Sequence, residues 1–158
     1  MPMKSKLQNE LKQNKPFQNL QEEALLNIVR TAEVFSWQAA SLFKEIDLTA
    51  TQYNVLRILR GAGNEGLLCR EISERMLTKD PDITRLLDRL ELRGFISRNR
   101  NSHDRRVITV KITSEGLEVL NSLDKPIEEH HQKLLGHLTQ EQLQQLISLL
   151  ELARNNII

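Results

Sequence analysis

The chain has 158 residues, of which 39% are hydrophobic and only 4% aromatic, so one domain of ordinary size with an aliphatic core is expected. The formal net charge of +1 does not by itself indicate a polyanionic partner, and the single cysteine, Cys69, excludes an internal disulfide. No apolar run approaches the ~20 residues that span a bilayer, and no signal-peptide core is present, so we expect a soluble, cytoplasmic protein.

Apolar spacing predicts helices in the first half of the chain. Residues 1–19, rich in Lys, Gln and Asn, are predicted as a flexible N-terminal arm, and a long helix follows at about 20–46. Thr49 and Gln52 match a capping box that starts a second helix, which ends at the glycine-rich segment 61–66. A short helix is predicted at about 70–76.

The next helix, at about 81–93, has one apolar stripe. Asp80 suits its N-cap, Pro81 suits its first helical position, and Gly94 suits the left-handed residue that ends many helices. The positions i, i+3, i+4 and i+7 that form the stripe are Ile83, Leu86, Leu87 and Leu90.

After Gly94 the apolar period changes from helical to two. Residues 95–98 can pair with 108–112 across the polar tip 99–105, which predicts a β-hairpin. A helix at about 115–138 follows, and Thr139 with Gln142 forms a second capping box that opens the last helix.

This order of elements predicts a mainly α fold with a small β-hairpin wing, of the α+β class. Residues 47–114 are interpreted as a winged helix-turn-helix DNA-binding domain, with 70–76 and 81–93 as the two helices of the motif. Residues 20–46 and 115–158 are interpreted as a helical dimerisation region, because their apolar stripes exceed what a small winged motif can bury. The single domain spans about 20–156.

Charge is concentrated in the predicted motif. Residues 70–111 contain eleven Lys and Arg against seven Asp and Glu, which gives this segment +4 and the rest of the chain −3. Clustered arginine, more than total charge, marks a nucleic-acid face, although a solvated surface has a similar composition. The predicted DNA contacts are Asp82, Thr84, Arg85 and Arg89 on the helix and Arg98, Arg100, Arg105 and Arg106 on the hairpin. For Asp82, a capping role remains the alternative to accepting from cytosine.

The segment Asp82-Ile83-Thr84-Arg85-Leu86-Leu87-Asp88-Arg89-Leu90-Glu91-Leu92-Arg93-Gly94-Phe95-Ile96 resembles the MarR family of bacterial transcription regulators. The resemblance continues through the wing element Asp104-Arg105-Arg106 and through Ile112-Thr113-Ser114-Glu115-Gly116, and extends from about residue 22 to the C-terminus.

The resemblance implies a homodimer whose terminal helices interdigitate and which binds a pseudo-palindromic operator in double-stranded DNA. It implies a repressor that is released by a small phenolic or lipophilic effector or by a stress signal. Within the wing, Arg106 is then expected in the minor groove, Arg105 at a phosphate, and Asp104 as a wing-orienting acid. Asp88 matches an acid that pairs with the second wing arginine, and is also expected to orient the wing.

The sequence also contains candidates for an effector cleft, a redox-active cysteine and a metal site. The resemblance implies an effector cleft that Trp37, Phe43, Tyr53 and Arg57 could line, with core packing as the alternative. A redox role for Cys69 is less expected than a structural one, since it would need an exposed thiolate. The histidines have no metal-ligand spacing: His130 and His131 are adjacent, and Glu129, Asp124, His103 and His137 complete no pattern, so no metal or cofactor is predicted.

The competing function is a winged-helix protein-interaction module, such as an antirepressor, that does not read DNA. An enzyme is not expected, because the sequence has no nucleophile–His–acid arrangement, no phosphate-binding loop and no metal cluster, and so no catalytic residues are predicted.

Overall fold

The computed structural model describes residues 5–79, 82–100, 108–155 and 157. Within these ranges the helices are α1 (Lys6–Glu10), α2 (Leu20–Lys44), α3 (Ala50–Ala62), α4 (Cys69–Arg75), α5 (Ile83–Leu92), α6 (Ser114–Leu135) and α7 (Gln140–Arg154). The strands are β1 (Leu67–Leu68), β2 (Ile96–Arg100) and β3 (Ile108–Ile112). The predicted mainly α fold with a β-hairpin wing is confirmed.

The wing is a three-stranded antiparallel sheet in the order β1-β3-β2. Ile96 faces Ile112, Arg98 faces Val110, and Arg100 faces Ile108, so the two predicted segments pair and β2 extends two residues into the predicted tip. The sequence pattern did not predict β1, where Leu67 pairs with Val110. A strand of two residues is too short to show the alternation by which strands are recognised.

The core of the winged motif is aliphatic. Helices α3, α4 and α5 contact one another in sequence, and α3 also packs against α6. The fully buried side chains are Val55, Leu56, Leu59, Ile72, Leu87, Leu90, Val110 and Leu120. Three of the four stripe residues predicted for α5 are buried, and the fourth, Ile83, is half-buried at the first turn.

Helices α3 and α7 begin at their predicted capping residues. The Thr49 hydroxyl accepts from the Gln52 N–H at 3.1 Å and the Gln52 amide oxygen accepts from the Thr49 N–H at 3.0 Å, which confirms the predicted box. The same reciprocal pair joins Thr139 and Gln142. These boxes form because side chain and backbone groups three residues apart satisfy each other locally.

The predicted start of α5, the second helix of the helix-turn-helix motif and below called the recognition helix, is wrong. The N-cap of α5 is Asp82, whose carboxylate accepts from the Arg85 N–H at 3.2 Å, and the helix begins at Ile83. Asp80 and Pro81, predicted as cap and first residue, lie outside the described residues. Either aspartate suits an N-cap, and Asp82 directly precedes the apolar stripe that the helix buries.

The chain divides into two compact units, Met1–Ser41 and Leu42–Ile158. In the first unit, the predicted flexible arm contains α1, which begins at a capping box between Ser5 and Gln8. Leu7 is buried, and the Gln8 side-chain amide donates to the Lys15 carbonyl at 2.9 Å.

None of the helices in the described ranges is long and apolar enough to cross a membrane.

Candidate nucleic-acid interface

Helix α5 separates an apolar face from a polar one. Leu86, Leu87 and Leu90 point into the core, while the remaining faces expose Thr84, Arg85, Asp88 and Arg89. A helix held by one stripe can present the opposite side chains to a DNA groove. The predicted contacts Thr84, Arg85 and Arg89 are therefore on one exposed helix, with side chains long enough to reach base edges or phosphates.

Asp82 and Arg85 are paired at the start of α5. Besides its capping bond, the Asp82 carboxylate lies 3.4 Å from Arg85 Nε, and the Arg85 side chain remains 73% exposed. The contacts of Asp82 agree with the capping alternative. The pair with Asp82 therefore leaves most of the Arg85 side chain open to solvent.

Arg98 joins the wing to α5. Its Nη1 lies 2.5 Å from Asp88 Oδ1 and 3.3 Å from Glu91 Oε2, and its Nη2 donates to the Thr84 carbonyl at 3.3 Å. The Arg98 side chain is only 23% exposed. Its contacts favour a role in holding β2 against the recognition helix over the predicted contact with DNA.

Asp88 pairs with Arg98 of the wing strand β2. The predicted partner of Asp88, the second wing arginine Arg106, lies outside the described residues, so that pairing stays a prediction. The resemblance placed that arginine at the tip, whereas Arg98 stands on β2 directly beside α5. The tip residues Asp104, Arg105 and Arg106 lie outside the described residues, and their roles stay predictions.

Two further predicted cations, Arg89 and Arg100, are exposed. Neither forms an ion pair with any acid among the described residues. An exposed guanidinium that is not neutralised locally is available to a phosphate, which bidentate donors suit.

The base of the wing contains close contacts around Thr113 and Gly116. The Thr113 hydroxyl caps α6 by accepting from the Gly116 N–H at 3.1 Å, and it donates to the Gly94 carbonyl at 2.6 Å. A Cβ at Gly116 would overlap the Phe95 carbonyl oxygen and approach Ile112 Cγ1 to 2.8 Å. Thr113 and Gly116 were recognised as family residues, but the spacing alone gave no sign of this close approach.

Three of the predicted effector residues are close together. The Phe43 and Tyr53 rings lie 5.0 Å apart between centroids, tilted by 35°, and the Arg57 guanidinium carbon lies 5.9 Å from the Tyr53 centroid. Phe43 is buried. Burial raises the pKa of Tyr53, and the neighbouring Arg57 partly opposes that shift. Trp37, the fourth predicted residue, lies on α2 with 73% of its side chain exposed.

A shallow cleft of about 370 Å³ lies elsewhere in the second unit, between the end of α3, strand β3 and the start of α6. Its lining does not include the predicted effector residues. Arg60 borders it and is held by a bidentate pair with Asp124, with both nitrogen–oxygen distances 2.9 Å. That bond lowers the pKa of Asp124.

Metal and redox candidates gain no support from their surroundings. Over the described part of the chain, no three His, Cys, Asp or Glu side chains are grouped as ion ligands. The Nε2 of His130 is buried without a hydrogen-bond partner among the described residues. Cys69, a free and half-exposed thiol, is the first residue of α4.

The fold and this surface define a winged helix-turn-helix protein whose second motif helix exposes two arginines, Arg85 and Arg89. The MarR family model matches residues 48–108. The homoprotocatechuate degradative operon repressor of Escherichia coli is 30% identical over 110 residues, which cover 70% of this chain and 73% of that protein. A MarR transcription factor from Planctomyces limnophilus has a similar structure, with a TM-score of 0.68, 40% identity, and coverage of 86% and 98%.

The structure of S. aureus MepR in a DNA complex is similar in fold, with a TM-score of 0.74 over 85% of this chain and 97% of that one, at 21% identity. The identities and coverage of the first two proteins establish the relationship. The chain belongs to the MarR family of winged-helix transcription regulators.

Proposed function

We propose that this protein is a homodimeric, sequence-specific regulator that binds a pseudo-palindromic operator and acts as a repressor. The observation that carries the proposal is the exposed face of α5, with Thr84, Arg85 and Arg89, fixed beside the wing by Asp88 and Arg98. A rigid helix with an arginine-bearing hairpin next to it matches the two grooves of duplex DNA.

Base contacts are assigned to Thr84, Arg85 and Arg89, and backbone contacts to Arg100 and Arg105. Arg106 is assigned to the minor groove on the strength of the family motif. Asp104 orients the tip, Asp82 caps the helix, and Arg98 positions the wing. The DNA complex of MepR, a protein of the same fold, supports this use of the surface.

Dimerisation is proposed because the terminal helices expose apolar side chains. Helix α7 has no buried residue, and Ile147, Leu149 and Leu152 are 55%, 64% and 65% exposed. In the other unit, α2 exposes Leu25, Ile28, Val29 and Trp37. Soluble monomers rarely expose large apolar patches, and a second copy of the chain would cover these side chains.

Release by a small molecule is proposed for the same protein. The rings of Tyr53 and of the buried Phe43 form an apolar cluster with the cation of Arg57 nearby, a combination that suits an aromatic acid or phenol. The name of the Escherichia coli relative, which refers to degradation of a phenolic acid, supports this class of effector.

The test uses the DNA beside the protein's own gene, searched for an inverted repeat and footprinted. Wild-type affinity should fall steeply with salt, since the slope of log K against log salt is about −0.9 per phosphate contact. Arg106→Ala should weaken binding by tenfold or more and reduce the slope by about one. Lys125→Ala is the matched control, because Lys125 is an exposed cation on α6.

Unchanged binding by Arg106→Ala, with the dimer intact, would contradict the wing assignment. A wild-type protein that binds no DNA in a salt-dependent manner and instead forms a complex with another protein would support the interaction-module alternative.

A further inference from the structure

The C-terminal ends of α2 and α5 have the same pattern of backbone hydrogen bonds. At the end of α5, the Phe95 N–H donates to the Leu90 carbonyl at 3.0 Å and the Gly94 N–H to the Glu91 carbonyl at 2.8 Å. At the end of α2, the Leu48 N–H donates to the Phe43 carbonyl at 3.1 Å and the Asp47 N–H to the Lys44 carbonyl at 3.2 Å. Both pairs form a Schellman motif.

The two motifs differ in their left-handed residue. Gly94 has φ 74° and tolerates it, whereas Asp47 has φ 52° and carries a side chain that disfavours this region. A non-glycine residue is kept in such a conformation only when the surroundings determine it. Contacts from outside α2 are therefore expected to help hold the turn 45–48.

Arg93, the C-cap residue of α5, supplies those contacts. Its Nη1 donates to the Asp47 carbonyl and its Nη2 to the Ile46 carbonyl at 3.1 Å. These carbonyls have no partner within α2, and a cation is favoured at a helix C-terminus. The guanidinium carbon lies 4.7 Å from the centroid of the Phe95 ring, which holds the side chain in this position.

The same end of α5 is bonded to α6. The Thr113 N–H donates to the Phe95 carbonyl at 3.1 Å, and the Thr113 hydroxyl donates to the Gly94 carbonyl. Residues 93–95 thus connect the recognition helix to the end of α2 on one side and to the start of α6 on the other.

We propose that Arg93 is a positioning residue that couples the turn 45–48 to the recognition helix, so that a change in this turn alters DNA affinity. The inference rests on the proposed function of a DNA-binding regulator. Phe43 contributes both a carbonyl to the turn and a ring to the predicted effector cluster. A change at these rings therefore reaches the turn through Phe43, and Arg93 carries it from the turn to α5.

The first readout is hydrogen exchange in the free protein, which needs no DNA. Arg93→Lys keeps the charge but cannot donate to two carbonyls as a planar fork. We expect its exchange to rise about tenfold both in the turn 45–48 and in α5. Arg154→Lys, the same change at an exposed position of α7, is the control. Exchange at the wild-type rate in α5 would overturn the proposal.

The second readout is a double-mutant cycle with Asp47→Val, which strains the left-handed turn. In the wild-type background this change should raise exchange in α5 and lower affinity for the footprinted DNA, each by about tenfold. In the Arg93→Lys background it should alter neither further, because the connection is already cut.

Effects of Asp47→Val and Arg93→Lys that simply multiply would refute the coupling. If the wild-type protein binds no DNA, the proposed function fails, whereas the exchange cycle still decides whether Arg93 connects the turn to α5. The lysine variant is used because Arg93→Ala removes charge and contacts together and is more disruptive to folding.

Discussion

At the residue scale, the contacts of single side chains revise how the arginines are interpreted. Composition treats every arginine of the segment 70–111 as a cation available to DNA. In the structure, Arg98 is committed to Asp88 and Glu91 and Arg93 to two carbonyls, whereas Arg89 and Arg100 are exposed. Counting charges therefore overstates the number of arginines that are available to DNA, because an arginine bound within the chain has few donors left for phosphate.

The Asp88–Arg98 tie can be measured by a double-mutant cycle. Asp88→Ala, Arg98→Ala and the double variant should show a coupling of about 1 kcal/mol in the free energy of unfolding, a modest value because Asp88 is 55% exposed. DNA affinity should fall in both single variants, since the wing is no longer fixed to α5. Chemical denaturation and fluorescence anisotropy supply the two measurements. Additive effects on stability would show that the pair does not interact.

The Arg60–Asp124 pair predicts a pH dependence of stability. The Arg60 hydrogen bond lowers the pKa of Asp124 below its ordinary value of 3.8, so the pair stabilises the fold above that pH and is lost as pH falls through the lowered pKa. Asp124→Asn should cost about 0.5 kcal/mol at neutral pH, and the difference from wild type should vanish in acid. Urea denaturation at several pH values measures it.

Glu128→Gln, at an exposed position on the same helix, is the control for this comparison and should show no such pH-dependent difference. A destabilisation by Asp124→Asn that persists unchanged in acid would show that the charge of Asp124 is not its cause.

At the element scale, helix and strand ends decide how the recognition helix is held. Helix α5 starts at the Asp82 cap, ends in a Schellman motif at Gly94, and is bonded beyond that end to Thr113. Capping boxes were predictable because their partners are three residues apart in sequence. The hydrogen bonds from Arg93 to the Ile46 and Asp47 carbonyls join residues more than forty positions apart, so no local sequence pattern predicts them.

Gly116 tests the junction between the wing and α6. Gly116→Ala should destabilise the protein by about 2 kcal/mol, because the added Cβ meets the Phe95 carbonyl oxygen and the Ile112 side chain. Thermal or chemical denaturation measures the change. The matched control is Gly61→Ala in α3, where no atom lies within 4 Å of the added Cβ.

In contrast to Gly116→Ala, the Gly61→Ala control should raise stability by about 0.5 to 1 kcal/mol, because alanine favours a helix over glycine. Equal effects at the two positions would contradict the close approach of α6 to the wing.

At the scale of the whole molecule, the distribution of apolar surface separates the two kinds of helix. The helices of the winged motif bury their stripes within the chain, whereas α7 buries none of its side chains. The sequence predicted apolar stripes on the terminal helices. Periodicity alone does not show whether such a stripe is covered by the same chain or by another.

Dimerisation through α7 is tested by Leu149→Asp with Leu152→Asp. Each leucine should bury apolar surface worth about 2 kcal/mol in each protomer, so the double variant should sediment as a monomer and lose operator affinity. Analytical ultracentrifugation measures the association. Gln144→Asp, a polar position on the same helix, is the control and should remain dimeric. A double variant that sediments like the wild type would contradict an interface on this surface.

The sequence alone determined the order of α2 to α7, the hairpin and the resemblance to the family, because apolar periodicity, capping boxes and the motif after residue 82 are local properties of the chain. The tertiary structure decided which charged side chains are available: it placed Arg98 between Asp88 and Glu91, gave the cap of α5 to Asp82, and connected Arg93 to the end of α2. These contacts depend on which elements lie side by side. That arrangement is set by packing of the core, which no spacing along one segment encodes.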